Sequence, residues 1–252
     1  MDLDLKGRVA LVTGGGAGIG EAIARALAME GSVVVVADRD QAAAARAAAS
    51  IARDGGTGHA LTVDVGDAAA VEKAFAAVGD KTGAPHILVN AAGLLSVGPL
   101  ADLPPGEFDR VARVNVDGII NCARVAIPAM RAARSGRIVN IASVSALRGG
   151  GSVGNTLYGA TKAAVLALTM GLARELGPSG ITVNAVAPAI VDTAMTHAAL
   201  TQEARARILP RIPLGRFATT ADIADLVTFL VSERASFITG AVIPVDGGIL
   251  TT

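Results

Sequence analysis

Seven short runs of β-branched and other apolar residues recur along the chain, alternating with alanine-rich stretches of helix length. This rhythm restricts the fold more than any other feature. The runs are VALVT (9–13), VVVVA (33–37), HALTV (59–63), HILVN (86–90), RIVNIA (137–142), ITVNAVA (181–187) and AVIPV (241–245). Their apolar character is nearly continuous, as in strands covered on both faces. The helix-length stretches begin near 18, 40, 67, 106, 157 and 219. DRDQAAAARAAASIARDGG shows the type: an acidic start, good helix formers, then glycines as a stop. Such alternation predicts an α/β fold: a doubly wound, seven-stranded, mainly parallel sheet with helices on both faces. A chain of 252 residues fits one domain of this kind, and no linker, repeat or charge block divides 1–252. Residues 189–217, between the sixth strand and the last helix, are too many for a turn. They are expected to form a lid over the ligand crevice at the strand's carboxyl end.

Composition narrows the function classes. The formal net charge is zero, which argues against a non-specific grip on nucleic acid or on an anionic membrane surface. No stretch of eighteen apolar residues runs uninterrupted, so no membrane span is expected. Acidic residues stand where a secretory signal would be basic. The single cysteine, Cys122, excludes an intrachain disulfide and suits a reducing, cytoplasmic location. His59, His86 and His197 lie far apart in the sequence, without the spacing of a metal site.

VALVTGGGAGIGEAIARAL carries a strand, a glycine turn and a helix in that order, with Thr13-Gly14-x-x-x-Gly18-x-Gly20 at its centre. Glycine permits a tight turn and a close backbone approach to a pyrophosphate, and the helix start offers free N–H groups to that anion. Asp38 ends the second run eighteen residues after Gly20. A carboxylate there can accept hydrogen bonds from both adenosine ribose hydroxyls and would repel a 2′-phosphate, which favours NAD over NADP. Arg39 supports the alternative, since its guanidinium can hold that phosphate.

The only tyrosine, Tyr158, precedes Lys162 by four residues, so both side chains can share one helix face. With these residues the sequence resembles the short-chain dehydrogenase/reductase family along essentially its whole length. The matching pieces are TGGGAGIG (13–20), DV (64–65), NAAG (90–93), Asn115, IAS (141–143), YGATK (158–162), VNAVAP (183–188) and FITGAVIPVDGG (237–248). The resemblance implies a Rossmann fold with Gly14, Gly18, Ile19 and Gly20 at the cofactor pyrophosphate and Asp38 and Arg39 at the adenosine ribose. It implies Asp64 and Val65 at the adenine, and Asn90, Ala91 and Gly93 along the cofactor or its supporting strand. Pro188, Ile190 and Thr193 fall where the family holds the nicotinamide carboxamide. Asn115 resembles the asparagine that organises a water relay to the lysine, and Ser143 the serine that binds the substrate oxygen. Tyr158 looks like the general acid/base and Lys162 its partner, also reaching the nicotinamide ribose.

Chemistry gives these residue types a reason. Hydride addition to a carbonyl leaves an alkoxide, which needs a proton donor and a hydrogen bond where charge develops. A free phenol ionises near pH ~10. The lysine charge favours the phenolate and burial opposes it; the expectation is that the charge prevails. Two features depart from the family pattern. Ser143 precedes Tyr158 by fifteen positions where thirteen is usual, a count that instead lands on Ser145. The carboxyl end of the fifth strand favours Ser143, with the extra length in the loop 147–156. The usual Pro-Gly after the sixth strand reads Pro188-Ala189, and alanine disfavours positive φ.

The expected activity is NAD(H)-dependent interconversion of a small-molecule secondary alcohol and a ketone, by a homotetramer as is common in the family. Apolar lid residues (Ile190, Val191, Met195, Leu200, Ile208, Leu209) point to a modest, mainly apolar substrate. One alternative is an NADPH-dependent 3-oxoacyl-carrier-protein reductase, with Arg131, Arg134 and Arg174 as a docking patch. Another is a non-catalytic dinucleotide-binding sensor.

Overall fold

The computed structural model describes residues 2–151 and 153–251. Its strands are β1 (Val9–Thr13), β2 (Val33–Asp38), β3 (Thr57–Thr62), β4 (Ile87–Asn90), β5 (Gly136–Ile141), β6 (Ile181–Pro188) and β7 (Val242–Val245). They form one sheet in the order β3-β2-β1-β4-β5-β6-β7, and every neighbouring pair is parallel. The helices are α1 (Gly18–Met29), α2 (Gln41–Arg53), α3 (Ala68–Thr82), α4 (Glu107–Ala112), α5 (Gly118–Ala133), α6 (Ser145–Arg148), α7 (Thr156–Leu176), α8 (Ala194–Ala199), α9 (Gln202–Ile208) and α10 (Thr220–Leu230).

Successive residues of a strand point to opposite faces, and here both faces are dry. Ala10, Val12, Val34 and Val36 pack with Ile23, Leu27, Ile51, Val227 and Leu230 of α1, α2 and α10. Leu11, Val35 and Leu88 pack on the other side with Val71, Phe75, Met130 and Leu176 of α3, α5 and α7. This double cover produces the uninterrupted apolar runs of the central strands. At the sheet edge β3 is only partly covered and begins two residues earlier than the apolar run suggests.

The helix expected from about 106 is broken in two. A π-helical turn, Arg113–Asp117, joins α4 to α5. Thr156–Ser179 is long and apolar enough to cross a membrane by length and composition. In this fold α7 lies on the sheet, with Val165, Leu166, Ala173 and Leu176 buried.

Candidate active site

All strands end at one edge of the sheet, so the loops that follow them meet there. The strand order reverses direction between β1 and β4, where a crevice opens in doubly wound sheets. A cleft of about 530 Å³ runs along this edge.

The arm over β1, β2 and β3 begins at the glycine turn. A β-carbon at Gly20 would lie 2.2 Å from the Gly14 carbonyl oxygen, so only glycine lets α1 start directly against the turn. Gly18 has φ +58°, and a side chain there would meet only Thr193, at 3.7 Å, across open space. Ala17 supplies no side-chain cap to α1. The first N–H groups of a twelve-residue helix are thereby left for an anion in the cleft, which Gly14, Gly18, Ile19 and Gly20 all line. This cradle fits a dinucleotide pyrophosphate.

Asp38 closes β2, its Oδ2 accepting from Gly16 N–H and its Oδ1 from Asp40 N–H, both at 3.0 Å. Arg39 beside it is exposed at the cleft wall. Asp64 accepts from Gly66 N–H at 2.9 Å and pairs with Arg113 of the π turn, while the Val65 carbonyl accepts from Asn121. After β4, Thr13 Oγ1 takes the N–H groups of Ala91 and Ala92 at 3.1 Å each, holding that loop against β1.

Two residues expected along the cofactor or at the reaction centre do not line the cleft. Asn90 is buried under its floor, where Nδ2 donates to Asn140 Oδ1 at 2.8 Å. Asn140 donates in turn to Thr169 of α7, so the Asn90 side chain ties β4 to β5 and α7. Asn115 is fully buried on the π turn. Its Oδ1 accepts from Leu94 N–H at 2.8 Å, and its Nδ2 donates to Leu94 O and Thr161 Oγ1, both at 3.0 Å. Asn115 thus holds the wall after β4 to the helix that carries Tyr158. Ala91 and Gly93 do line the cleft, and a β-carbon at Gly93 would lie 3.4 Å from Asn115 Oδ1 and 3.6 Å from Lys162 Nζ.

Ser143, Tyr158 and Lys162 meet at the centre. The Ser143 side chain stands beside the Tyr158 phenol, and its hydroxyl accepts from Ser145 N–H at 3.1 Å. Ser145 opens α6 and also lines the cleft, but it is Ser143 that stands against the phenol. Asn155 caps α7 by accepting from Tyr158 N–H at 3.0 Å, and its Nδ2 reaches Ser96. No sequence pattern pointed to this cap, although an asparagine three positions before the tyrosine is a helix-start signal.

Lys162 is buried, donates to the Ile141 carbonyl at 2.8 Å and lies 5.9 Å from the Tyr158 ring centre. Burial pulls its ammonium down to about 8. Burial pushes the Tyr158 phenol up to about 12, against a smaller opposite effect of the Ser143 side chain. The expected lowering by Lys162 is not what the structure gives: the ammonium is spent on a carbonyl and disfavoured by the same dry surroundings. Tyr158 is only half-buried at the cleft wall, so entering solvent tempers its rise.

Pro188, Ala189, Ile190 and Thr193 complete the wall after β6. Ala189 has no positive φ, and its N–H donates to Val245 O at 3.1 Å, so the loss of glycine is absorbed in ordinary backbone. Segment 189–217 holds α8 and α9. Asp192 binds both His197 of α8 (3.0 Å) and Arg205 of α9 (2.9 Å). Leu200 and Ile208 pack with Ile190 and Ile212 of the segment and with Ile249 near the carboxyl end in a small core, and Ile190, Val191 and Met195 line the cleft. On the outer surface Arg131 pairs with Glu175 and Arg134 donates to Pro178 O, so two of the three arginines of the expected docking patch are engaged within the chain.

A glycine cradle, a carboxylate at the end of β2 and a phenol beside a serine line one cleft, as in dinucleotide-dependent α/β enzymes. Residues 14–250 match the family described as Enoyl-(acyl carrier protein) reductase. The chain is 41% identical over 241 residues to the meso-2,3-butanediol dehydrogenase of Serratia marcescens, covering 96% of this chain and 94% of that one. It is 38% identical over 247 residues to the 3-oxoacyl-[acyl-carrier-protein] reductase of Pseudomonas aeruginosa, covering 98% and 99%. The solved gluconate 5-dehydrogenase of Burkholderia cenocepacia, in complex with NADP and tartrate, superposes with a TM-score of 0.93 at 33% identity, over 100% of this chain and 98% of that one. The chain belongs to the short-chain dehydrogenase/reductase family, and it is an oxidoreductase acting on CH–OH groups.

Proposed function

We propose that the protein interconverts a secondary alcohol and a ketone, with Tyr158 as proton donor and acceptor and NAD(H) as the preferred cofactor. The observation that carries this reading is the meeting of Ser143, Tyr158 and Lys162 midway along a cleft whose other arm is the glycine cradle. A nicotinamide bound there supplies or accepts the hydride. In reduction, the carbonyl oxygen takes a hydrogen bond from the Ser143 hydroxyl, and the Tyr158 phenol gives its proton to the forming alkoxide. Lys162 stabilises the phenolate left behind, and Asn115 acts as a positioning residue that keeps the cleft wall and α7 in register. In oxidation the same phenolate removes the alcohol proton. A phenol raised to about 12 is fully protonated at neutral pH, which suits reduction and makes oxidation faster as pH rises.

Asp38 supports NAD(H), since both carboxylate oxygens are fixed by backbone N–H groups and keep lone pairs toward the cleft. Arg39 is the group an NADP reading would use, and NADP is what the Burkholderia cenocepacia relative holds. The test is a panel of ketones and alcohols followed at the nicotinamide absorbance band with both cofactors. Expected are turnover of at least one ketone, a higher kcat/KM with NADH, and a narrower gap in Asp38→Ala. Equal or better rates with NADPH would transfer the role to Arg39. Cofactor binding without any turnover would support a sensor. Ser143→Ala should lower kcat by roughly 10²-fold, as for a lost oxyanion donor, and Ser145→Ala far less.

A further inference from the structure

The two arms of the cleft differ in charge. Its acidic lining residues, Asp38, Asp40 and Asp64, all follow β2 or β3. On the other side of β4, past Ser143, no described acidic residue lines the wall, where Val144, Val153, Met195 and glycine backbone stand with the hydroxyl residues Ser145 and Thr196. One further cation stands there. Arg148, the last residue of α6, lines the cleft and is exposed. Among the described residues no carboxylate or carbonyl partners its guanidinium. Lys162, the other cation of this region, is committed to the Ile141 carbonyl.

Arg148 does not hang on a loose loop. Gly149 turns the chain with φ +70°, and Gly150 N–H donates back to Ser145 O at 2.9 Å. Gly151 N–H donates to Gly154 O at 2.8 Å. The loop rests on α7 where a β-carbon at Gly159 would lie 2.4 Å from Gly150 N, so a missing side chain seats it. Such a cation at the end of a one-turn helix gains little from the helix dipole, which a single turn barely builds. An unpartnered guanidinium on the arm of the cleft that no described acidic residue lines suits a planar or tetrahedral oxoanion, which it can bind through two N–H groups.

We propose that the substrate carries an anionic group, a carboxylate or a phosphate monoester, remote from the reacting carbonyl, and that Arg148 binds it. This inference rests on the alcohol–ketone reading above and names its substrate class. It departs from the expectation of a mainly apolar substrate by giving that substrate one charged end.

The test uses matched pairs: hydroxy carboxylic acids with their methyl esters, and hydroxyalkyl phosphates with the corresponding diols. Initial rates are measured with saturating cofactor in the unmodified protein, Arg148→Gln and Arg148→Lys. The expected result is a lower KM for the anionic member of a pair, a KM ratio that falls about tenfold or more in Arg148→Gln, and partial retention in Arg148→Lys, because ammonium keeps the charge but loses the two-pronged bond. Preference for acids or for phosphates identifies the group. A KM ratio unchanged by Arg148→Gln, or preference for the neutral member, would overturn the proposal. If no pair is turned over, the alcohol–ketone reading fails. Titrating the same acids and phosphates against the fluorescence of bound NADH or NADPH then still decides on Arg148: weaker binding in Arg148→Gln supports it, and equal binding refutes it.

Discussion

At the residue scale, proximity and burial compete at Tyr158, and burial prevails. Lys162 is one helical turn away, but its ammonium is pulled down to about 8 while the phenol is pushed up to about 12. The same dry surroundings disfavour the ammonium and the phenolate alike, which weakens the effect of the charge on the phenol. The chain has one tyrosine and no tryptophan, so the ultraviolet tyrosinate signal reports Tyr158 alone. Titration of the cofactor-free protein should give a midpoint above the free value of about 10, moved little by Lys162→Ala. A midpoint below that value which the lysine change raises would mean that the charge acts after all. The sequence displayed the pair and both opposing effects. It could not display the Ile141 carbonyl that engages the ammonium, because that contact joins residues 21 apart in the chain.

At the element scale, the central strands were legible because each is dry on both faces and therefore apolar throughout. β3 was less so, since a half-covered edge strand carries Thr57, Gly58 and His59 without an apolar run. The π turn left no trace at all. RVNVD reads as ordinary helix, and only the fold shows that the widened turn carries buried Asn115 to Leu94 and Thr161; such turns recur at functional sites. The role of Gly159 was equally hidden, because it depends on how the loop at Gly149 and Gly150 lies against α7. Gly159→Ala improves helix propensity by about 1 kcal/mol, yet puts a β-carbon into the Gly150 backbone. The expected outcome is a lower melting temperature and a reduced kcat, as the loop between Ser143 and Tyr158 is pushed off α7. A higher melting temperature with unchanged kcat would show the loop yielding freely.

For the whole molecule, large apolar side chains on the outside ask for a cover. Phe108 on α4 and Met170 on α7 are about half exposed, while Leu214 and the fully exposed Phe237 flank the β7 end of the sheet. Two separate apolar faces suit two kinds of two-fold contact, and hence a homotetramer. Light scattering at micromolar concentration should return the mass of four chains, and Phe237→Asp should reduce it to that of a dimer. A monomeric mass for the unmodified protein would remove this reading. The family resemblance points to the helices around 106–134 and 157–177 and to the C-terminal strand as the contact elements, but not to the side chains exposed on them, because exposed and buried phenylalanines look alike in a sequence.

The burial of Lys162 means that the protein is less stable than its sequence allows at the one place where it must react. Lowering that ammonium from 10.5 to about 8 corresponds to a folding penalty on the order of 3 kcal/mol at neutral pH. Below about 8 the lysine is charged in both the folded and unfolded chain and the penalty is constant. Between about 8 and 10.5 only the unfolded chain holds the proton, so stability contributed by this site rises with pH through that window. Lys162→Met should accordingly melt several degrees higher at pH 7, with a gain that shrinks toward pH 10, and should be catalytically dead; an unchanged or lower melting temperature at pH 7 would contradict this. Screens for thermostability would then select against the enzyme's own chemistry at this position, and a heat-hardened descendant of this chain should be checked for its lysine before its robustness is credited to better packing.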